Sequence, residues 1–330
     1  MILVTGGTGL VGAHLLLSLA KQGKRIRATH RKSSNIDTVK TFFKNEGSHD
    51  LLNSIQWIEA DITDTSTLHE AFKGISQVYH CAALISFDPN DYFKLKKVNI
   101  EGTANIVNLC VEHAIEKLCY VSSIAALGGK EEKTVTEKTE WDPAFDHNVY
   151  ALSKYGAEME VWRGTQEGLK AVIVNPGVIL GTGFYDSGSG KLIAEVAKGF
   201  KYRLKGVSGY VDVSDVTACM LALMESDITN ERFILVSENW AFEDFCDVMA
   251  QRLNKPSPKL VVKPWMLSLA WRLDWLKHLI LRTKRTLPKQ SARSALTATS
   301  YDSQKIRDRI GFSFIPVQES IATIARTLQG

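Results

Sequence analysis

The sequence predicts an α/β fold: a doubly wound parallel sheet with a smaller, mainly helical C-terminal lobe. Three observations predict it. In the first half, short apolar runs alternate with longer amphipathic segments. The first apolar run leads straight into a glycine-rich turn. After Pro176 the alternation fades, and a tail punctuated by Pro256, Pro258, Pro264 and Pro288 follows.

The elements follow in order. Runs at 2–5, 25–29, 55–58, 77–80, 118–122 and 171–175 are apolar on both faces, as buried parallel strands must be. Helical patterns at 10–22, 65–72, 92–114 and 149–167 lie between most of them. The glycine-rich stretch 181–190 reads as a loop over a ligand, and 211–223 and 233–236 read as later returns to the sheet. The expected division is 1–176, with returns near 206–236, for the sheet domain, and 177–205 plus 237–330 for a substrate-binding lobe.

Composition sets bounds. The 330 residues are 45% hydrophobic and 23% charged, which excludes collagen-like, disordered and disulfide-stapled classes. Five scattered cysteines without a C-x-x-C pair suggest small buried residues in a reducing, cytoplasmic setting. No signal peptide is expected, because the strand at 2–5 begins at once. No apolar stretch suits a transmembrane helix, and no histidine spacing suits a metal. The net charge of +4 is uneven: from Arg252 to Arg309 there are 14 Lys+Arg against 3 Asp+Glu, or +11, leaving −7 elsewhere.

The turn Thr5-Gly6-Gly7-Thr8-Gly9-Leu10-Val11-Gly12 lies between a strand and a helix. Gly6 permits the tight turn, Gly9 leaves room for a pyrophosphate, and Gly12 lets the helix pack closely. The helix start offers free N–H groups and a positive dipole end. Gly6, Thr8, Gly9, Leu10, Val11 and Gly12 are therefore assigned to a dinucleotide. Arg31 and Lys32, after the second strand, suit a ribose 2′-phosphate, so NADP(H) is preferred and NAD(H) remains open. A solvated basic turn is the plainer reading. Asp61 and Ile62 follow the third strand, where Asp61 could meet the adenine amino group or cap a helix.

Tyr150 and Lys154 are four residues apart at a predicted helix start, so both project from one face. A nearby ammonium lowers a phenol's pKa and prepares it for proton exchange. Val121-Ser122-Ser123 ends the fifth strand at the same sheet edge. Taken together with Asp61-Ile62-Thr63-Asp64, His80-Cys81-Ala82-Ala83, Val98-Asn99-Ile100-Glu101-Gly102-Thr103, Asn175-Pro176-Gly177, Val211–Val216 and Tyr301-Asp302-Ser303-Gln304-Lys305, these motifs run nearly end to end. The chain resembles the extended short-chain dehydrogenases/reductases, the NAD-dependent epimerase/dehydratase superfamily with its Rossmann-type sheet. Its strand two is most similar to the dihydroflavonol reductase and 3β-hydroxysteroid dehydrogenase-like branch.

The resemblance implies roles. Tyr150 is the acid/base, Lys154 holds the nicotinamide ribose and biases Tyr150, and Ser123, rather than Ser122, aligns the reacting oxygen. Ala82 and Ala83 let the cofactor pass over the sheet, and Pro176, Gly177 and Val178 flank the nicotinamide. Asn99 reads as a structural amide tying two strand-edge loops, and His80 as a core histidine before a proton shuttle. Plant dihydroflavonol reductases carry an asparagine where this chain has Ala125-Ala126-Leu127-Gly128, which argues against a flavonoid.

Leu84, Ile85, Phe87, Ile179, Leu180 and Phe184 are the expected apolar pocket, suited to a hydrophobic ketone, aldehyde or alcohol. The expected activity is NADP(H)-dependent hydride transfer to such a carbonyl. The rivals are a nucleotide-sugar epimerase or dehydratase with bound NAD, and a non-catalytic dinucleotide sensor. A small-molecule substrate is the expected partner, nucleic acid is not, and the resemblance suggests a homodimer through two long helices. The tryptophan-bearing segment 267–281 reads first as a lobe helix packed on its neighbours, and second as an interfacial helix facing anionic headgroups.

Overall fold

Seven parallel strands form the central sheet of the computed structural model, which describes residues 1–128, 134–186, 188–283, 285 and 287–329. They are β1 (Ile2–Thr5), β2 (Ile26–His30), β3 (Ile55–Glu59), β4 (Gln77–His80), β5 (Lys117–Val121), β6 (Ala171–Pro176) and β9 (Glu231–Leu235); β7 and β8 lie in a second sheet. Their order across the sheet is β9-β6-β5-β4-β1-β2-β3. The order reverses between β1 and β4, which opens a crevice at the strands' carboxyl ends.

Helices cover both faces because every central strand is apolar on both. On one face α1 (Leu10–Lys21), α2 (Ile36–Asn45) and α8 (Val213–Glu225) bury Leu16, Phe42 and Val216 in one cluster. On the other, α3 (Thr65–Phe72), α5 (Gly102–Glu112) and α6 (Val149–Gln166) bury Leu68, Ile106 and Val161. A third cluster lies off the main sheet. It packs Leu180 and Tyr210 of a second sheet, formed by β7 (Val178–Leu180), β8 (Val207–Asp212) and β10 (Glu238–Ala241), against α7 (Gly188–Ala197), α9 (Phe242–Arg252) and α13 (Val317–Gln329).

Three sequence expectations need correction, and one helix was not expected. The pattern at 92–114 is not one helix: α4 (Tyr92–Leu95) passes through a π-helical stretch, Lys96–Glu101, before α5. The glycine-rich stretch 181–190 is a loop only at first, since α7 begins at Gly188. Residues 211–223 end a strand of the second sheet and then form α8, because Asp212 accepts a hydrogen bond from Ser214 N–H and starts a helix there. The helix α2, capped by Asn35, had no place in the sequence reading. The tail helix α10 spans Pro264–Leu281, and α11 (Lys289–Ser294) and α12 (Gln304–Ile310) follow.

Candidate active site

The glycine turn is held by backbone contact. Gly6 adopts φ +70, and a Cβ there would sit 2.6 Å from Ala82 N. A Cβ on Gly12 would collide with the Gly6 carbonyl oxygen. Gly9 differs: its nearest neighbour would be 3.5 Å away, so its outer side is open. Gly9 also N-caps α1 without any side-chain hydrogen bond, so the first amides of α1, from Leu10 and Val11, face outward past Thr8.

A hollow of about 410 Å³ lies at the ends of β2 and β3. Arg31, Lys32 and Ser33 line one side, and Glu59, Ala60, Asp61, Asp64 and Thr67 the other. Asp61 accepts from Thr63 N–H at 2.9 Å and Thr63 Oγ1 at 2.8 Å, closing a turn, while the cap of α3 is Asp64. Ile62 is buried against Gly102, where a Cβ would meet Ile62 Cδ1 at 2.7 Å. An open cradle beside an uncapped helix, with a hollow that sets two cations near carboxylates, fits a dinucleotide.

The second half of the site starts at α6. Asn148 caps it through the Ala151 N–H at 2.8 Å, which sets Tyr150 and Lys154 on its first turns beside the end of β5. Ser122 and Ser123 point differently. The Ser122 hydroxyl donates inward to Glu158 Oε2 at 2.7 Å, while the Ser123 hydroxyl oxygen accepts from the Ala125 N–H at 3.1 Å and lies near enough to the Tyr150 hydroxyl to act on its pKa. Burial pushes the Tyr150 phenol up to about 12, with Ser123 pulling the other way.

Lys154 is buried and donates to Tyr120 Oη and to the Val121 carbonyl, both at 2.8 Å. Its ammonium also lies 4.5 Å from the centre of the Tyr120 ring. Burial lowers its pKa to about 7, against the opposing pull of Glu158. A Tyr150 pKa depressed by Lys154 is therefore not found in the protein alone. Burial dominates the phenol, and the ammonium is turned to Tyr120.

A buried polar chain continues inward. The His80 ring stacks on Tyr120 at 5.4 Å and joins Thr5 Oγ1 (2.7 Å) to Thr103 Oγ1 (3.0 Å). Both His80 nitrogens are thus partnered, and burial lowers its pKa to about 3, so the ring is a neutral core residue. Asn99, within the π-helical stretch, clasps Leu84 through its amide (2.7 and 2.9 Å) and donates to Ser153 Oγ at 2.9 Å. It ties one loop to α6, rather than two loops to each other.

The expected apolar pocket divides. Phe87 meets the Tyr150 ring edge-on at 5.5 Å, and Phe87 and Ile85 are half exposed. Leu84 lies beside them on the loop that Asn99 holds. Phe184 is elsewhere: it is buried against Phe42 (5.7 Å) and His14 (6.1 Å), so it fills the core over α1 and α2. Leu180 is fully buried in the off-sheet cluster, and Ile179 packs on the main core. Gly177 touches the backbone of β8, where a Cβ would collide with the Gly209 carbonyl, and its own N–H donates to Leu235 O. Pro176 ends β6 and Val178 begins β7, while Ala82 and the exposed Ala83 follow β4. A larger hollow, about 560 Å³ along Thr136–Pro143, contains none of Ser123, Tyr150 and Lys154.

These elements match known proteins. A sequence profile described as the NAD dependent epimerase/dehydratase family matches residues 2–235. The chain belongs to this family. Members are NAD(P)-dependent enzymes, and this chain is one of them.

The family relatives include the putative dihydroflavonol 4-reductase of Synechocystis sp. (strain ATCC 27184 / PCC 6803 / Kazusa), 28% identical over 99% of this chain and 94% of the relative. The sterol demethylase protein B of Methylococcus capsulatus (strain ATCC 33009 / NCIMB 11132 / Bath) is 26% identical over 79% and 77%. The crystal structure of gox2253 superposes with a TM-score of 0.84 and 26% identity over 100% of this chain and 98% of that one. The UDP-glucose 4-epimerase of Thermotoga maritima shares the fold, with a TM-score of 0.79 and 17% identity over 99% and 98%.

Some site residues escaped sequence reasoning. Tyr120, the Lys154 partner, sits unremarked inside a strand. Glu158 is one turn beyond Lys154 and draws Ser122, Asn175 (2.9 Å) and Arg232 (3.1 Å) together. Only spacing from Lys154 on α6 could have marked it. Outside this site, His69 of α3 and Glu112 and His113 at the end of α5 bring possible ligand atoms within 4.8 Å of one another, which local spacing could not show.

Proposed function

We propose that the chain is an NADP(H)-dependent oxidoreductase that reduces an apolar ketone or aldehyde, or oxidises the matching alcohol, with Ser123, Tyr150 and Lys154 as its site. The observation that carries this reading is the placement of Tyr150, four residues before Lys154 on α6, near Ser123 and edge-on to the apolar rim residue Phe87 at 5.5 Å. A phenol that holds its proton suits donation to a carbonyl oxygen. An apolar rim suits a hydrophobic carbonyl better than a charged diphosphate.

Gly6, Thr8, Gly9, Leu10, Val11 and Gly12 would hold the pyrophosphate, and Arg31 and Lys32 a 2′-phosphate. Asp61 and Ile62 would bound the adenine side, Ala82 and Ala83 the floor, and Pro176, Gly177 and Val178 the nicotinamide end. The bound nicotinamide supplies the hydride. Ser123 donates a hydrogen bond to the substrate oxygen, Tyr150 passes it a proton, and Lys154 leaves Tyr120 for the ribose hydroxyls. Residues 1–176, with returns near 206–236, would serve the dinucleotide, and 177–205 plus 237–330 the substrate. We place the protein in the cytoplasm, where its five unpaired cysteines stay reduced, and infer pairing of two copies through the outer faces of α5 and α6.

The test is Tyr150→Phe, assayed by nicotinamide absorbance over a panel of apolar carbonyls. The expected result is a loss of turnover of about 10²- to 10⁴-fold with cofactor affinity retained. Undiminished turnover would overturn the mechanism.

A further inference from the structure

Helix α10 carries its apolar side chains away from the protein. Of its eighteen residues, Leu267 alone is buried. Trp265, Leu269, Leu273, Leu276 and Ile280 are between 44% and 68% exposed. Their spacing of four, four, three and four residues places them on one stripe of the helix. The opposite stripe faces the protein. There Asp274 pairs with Arg285 at 2.8 Å, with both side chains about one-tenth exposed, and His278 Nδ1 meets Thr283 O at 2.6 Å. The segment is a lobe helix that packs on its neighbours through Leu267, Trp271 and Asp274, and its widest apolar stripe lies on the other side.

Cations border the apolar stripe. Arg272 and Lys277, both exposed, flank it on either side. They belong to the segment with 14 Lys+Arg against 3 Asp+Glu, and one of those three acids is the paired Asp274. A nucleic acid would match the cations but not the stripe. A protein interface would match the stripe and a polar rim, but an excess of cations alone around it calls for a strongly anionic surface. An anionic bilayer interface matches both, since Trp and Leu enter the acyl boundary while Lys and Arg stay with the headgroups. Among the described residues no helix is long and apolar enough to cross a membrane, so α10 would lie in the interface plane.

This surface is tied to the site. The Arg285 N–H donates to Asp88 Oδ2 at 3.2 Å, and Asp88 follows Phe87, the ring against Tyr150. We infer that α10 seats the protein on an anionic phospholipid bilayer, with the Phe87 rim beside it admitting an apolar substrate drawn from that bilayer. The substrate class rests on the proposed reductase reading; the docking does not.

The experiment sediments the full chain with vesicles of phosphatidylcholine alone and of phosphatidylcholine with phosphatidylglycerol, at low and high salt. The expected result is binding to the anionic vesicles that weakens several-fold at high salt. Leu273→Glu with Ile280→Glu should lower it by about tenfold or more. The same double variant should keep full turnover of a water-soluble carbonyl, which also shows that it folds. Absence of wild-type binding, or equal binding by the variant, overturns the inference. So does a wild-type dimer in solution that the double variant breaks, since a second copy would then cover the stripe. Loss of turnover in wild type and variant alike would defeat the reductase reading and leave the vesicle result to decide the docking.

Discussion

Lys154 carries its ammonium where a charge is disfavoured, and stability should record that. Its pKa falls from 10.5 to about 7 on folding because burial outweighs the Glu158 carboxylate. Between those values the unfolded chain holds a proton that the folded one has released. Stability therefore rises with pH through that window, by at most about 1.4 kcal/mol per pH unit. Urea unfolding at about pH 7 and about pH 9 should show wild type gaining on Lys154→Met as pH rises. A constant difference would mean that Lys154 stays charged. Gly12 is the other single-residue test. Gly12→Ala forces a Cβ against the Gly6 carbonyl, so dinucleotide affinity should fall by at least about tenfold, measured by NADPH fluorescence titration. The glycines and the Tyr–Lys pair were legible in the sequence, because their duties depend on local geometry. The choice between Ser122 and Ser123 was not decided by residue chemistry. It follows from Glu158, 36 residues along the chain, which takes the Ser122 hydroxyl.

At the scale of elements, α6 fastens the site to the sheet. Glu158 is fully buried and meets Arg232 from β9, Asn175 from β6 and Ser122 after β5. Glu158→Ala removes the acceptor shared by Ser122, Asn175 and Trp162 and leaves Arg232 only its backbone partners at Glu137 and Thr139, which should cost about 1–3 kcal/mol. Glu158→Gln keeps the shape and one acceptor oxygen and should cost less. Paired urea melts check both. Helix α6 was legible from its pattern over 149–167 and from the Tyr150–Lys154 spacing, although its Asn148 cap was not remarked. The break in 92–114 was not, since a π-helical stretch keeps an apolar pattern while shifting its phase, and Asn99 sits within that shift. Which stripe of α10 faces out was not legible, because an outward apolar stripe and an inward one have the same period.

For the whole molecule, the two halves of the proposed cofactor site come from different strands of the sheet. The glycine turn follows β1, while Tyr150 and Lys154 lie beside β5 on α6. One dinucleotide spanning both should stabilise the folded chain by mass action. At about a hundredfold excess over Kd the gain is about 2.7 kcal/mol, or roughly 4 °C in Tm for one cooperative unit of this size. NADPH should shift Tm more than NADH at equal concentration, and Arg31→Ala with Lys32→Ala should remove the difference. Equal shifts in wild type would show no preference between the two, and a larger shift with NADH would assign the preference to NAD.

By itself, the sequence determined the parallel sheet, the glycine turn and the Tyr–Lys spacing, because each depends on a period of a few residues. The tertiary structure alone decided that Phe184 is core while Phe87 is rim, and that Ser122 turns inward. It alone showed that Lys154 rests on Tyr120, and that the apolar stripe of α10 faces out. The physical reason is distance along the chain. Which side of a residue is filled depends on elements tens to hundreds of positions away, and a local pattern carries no record of them.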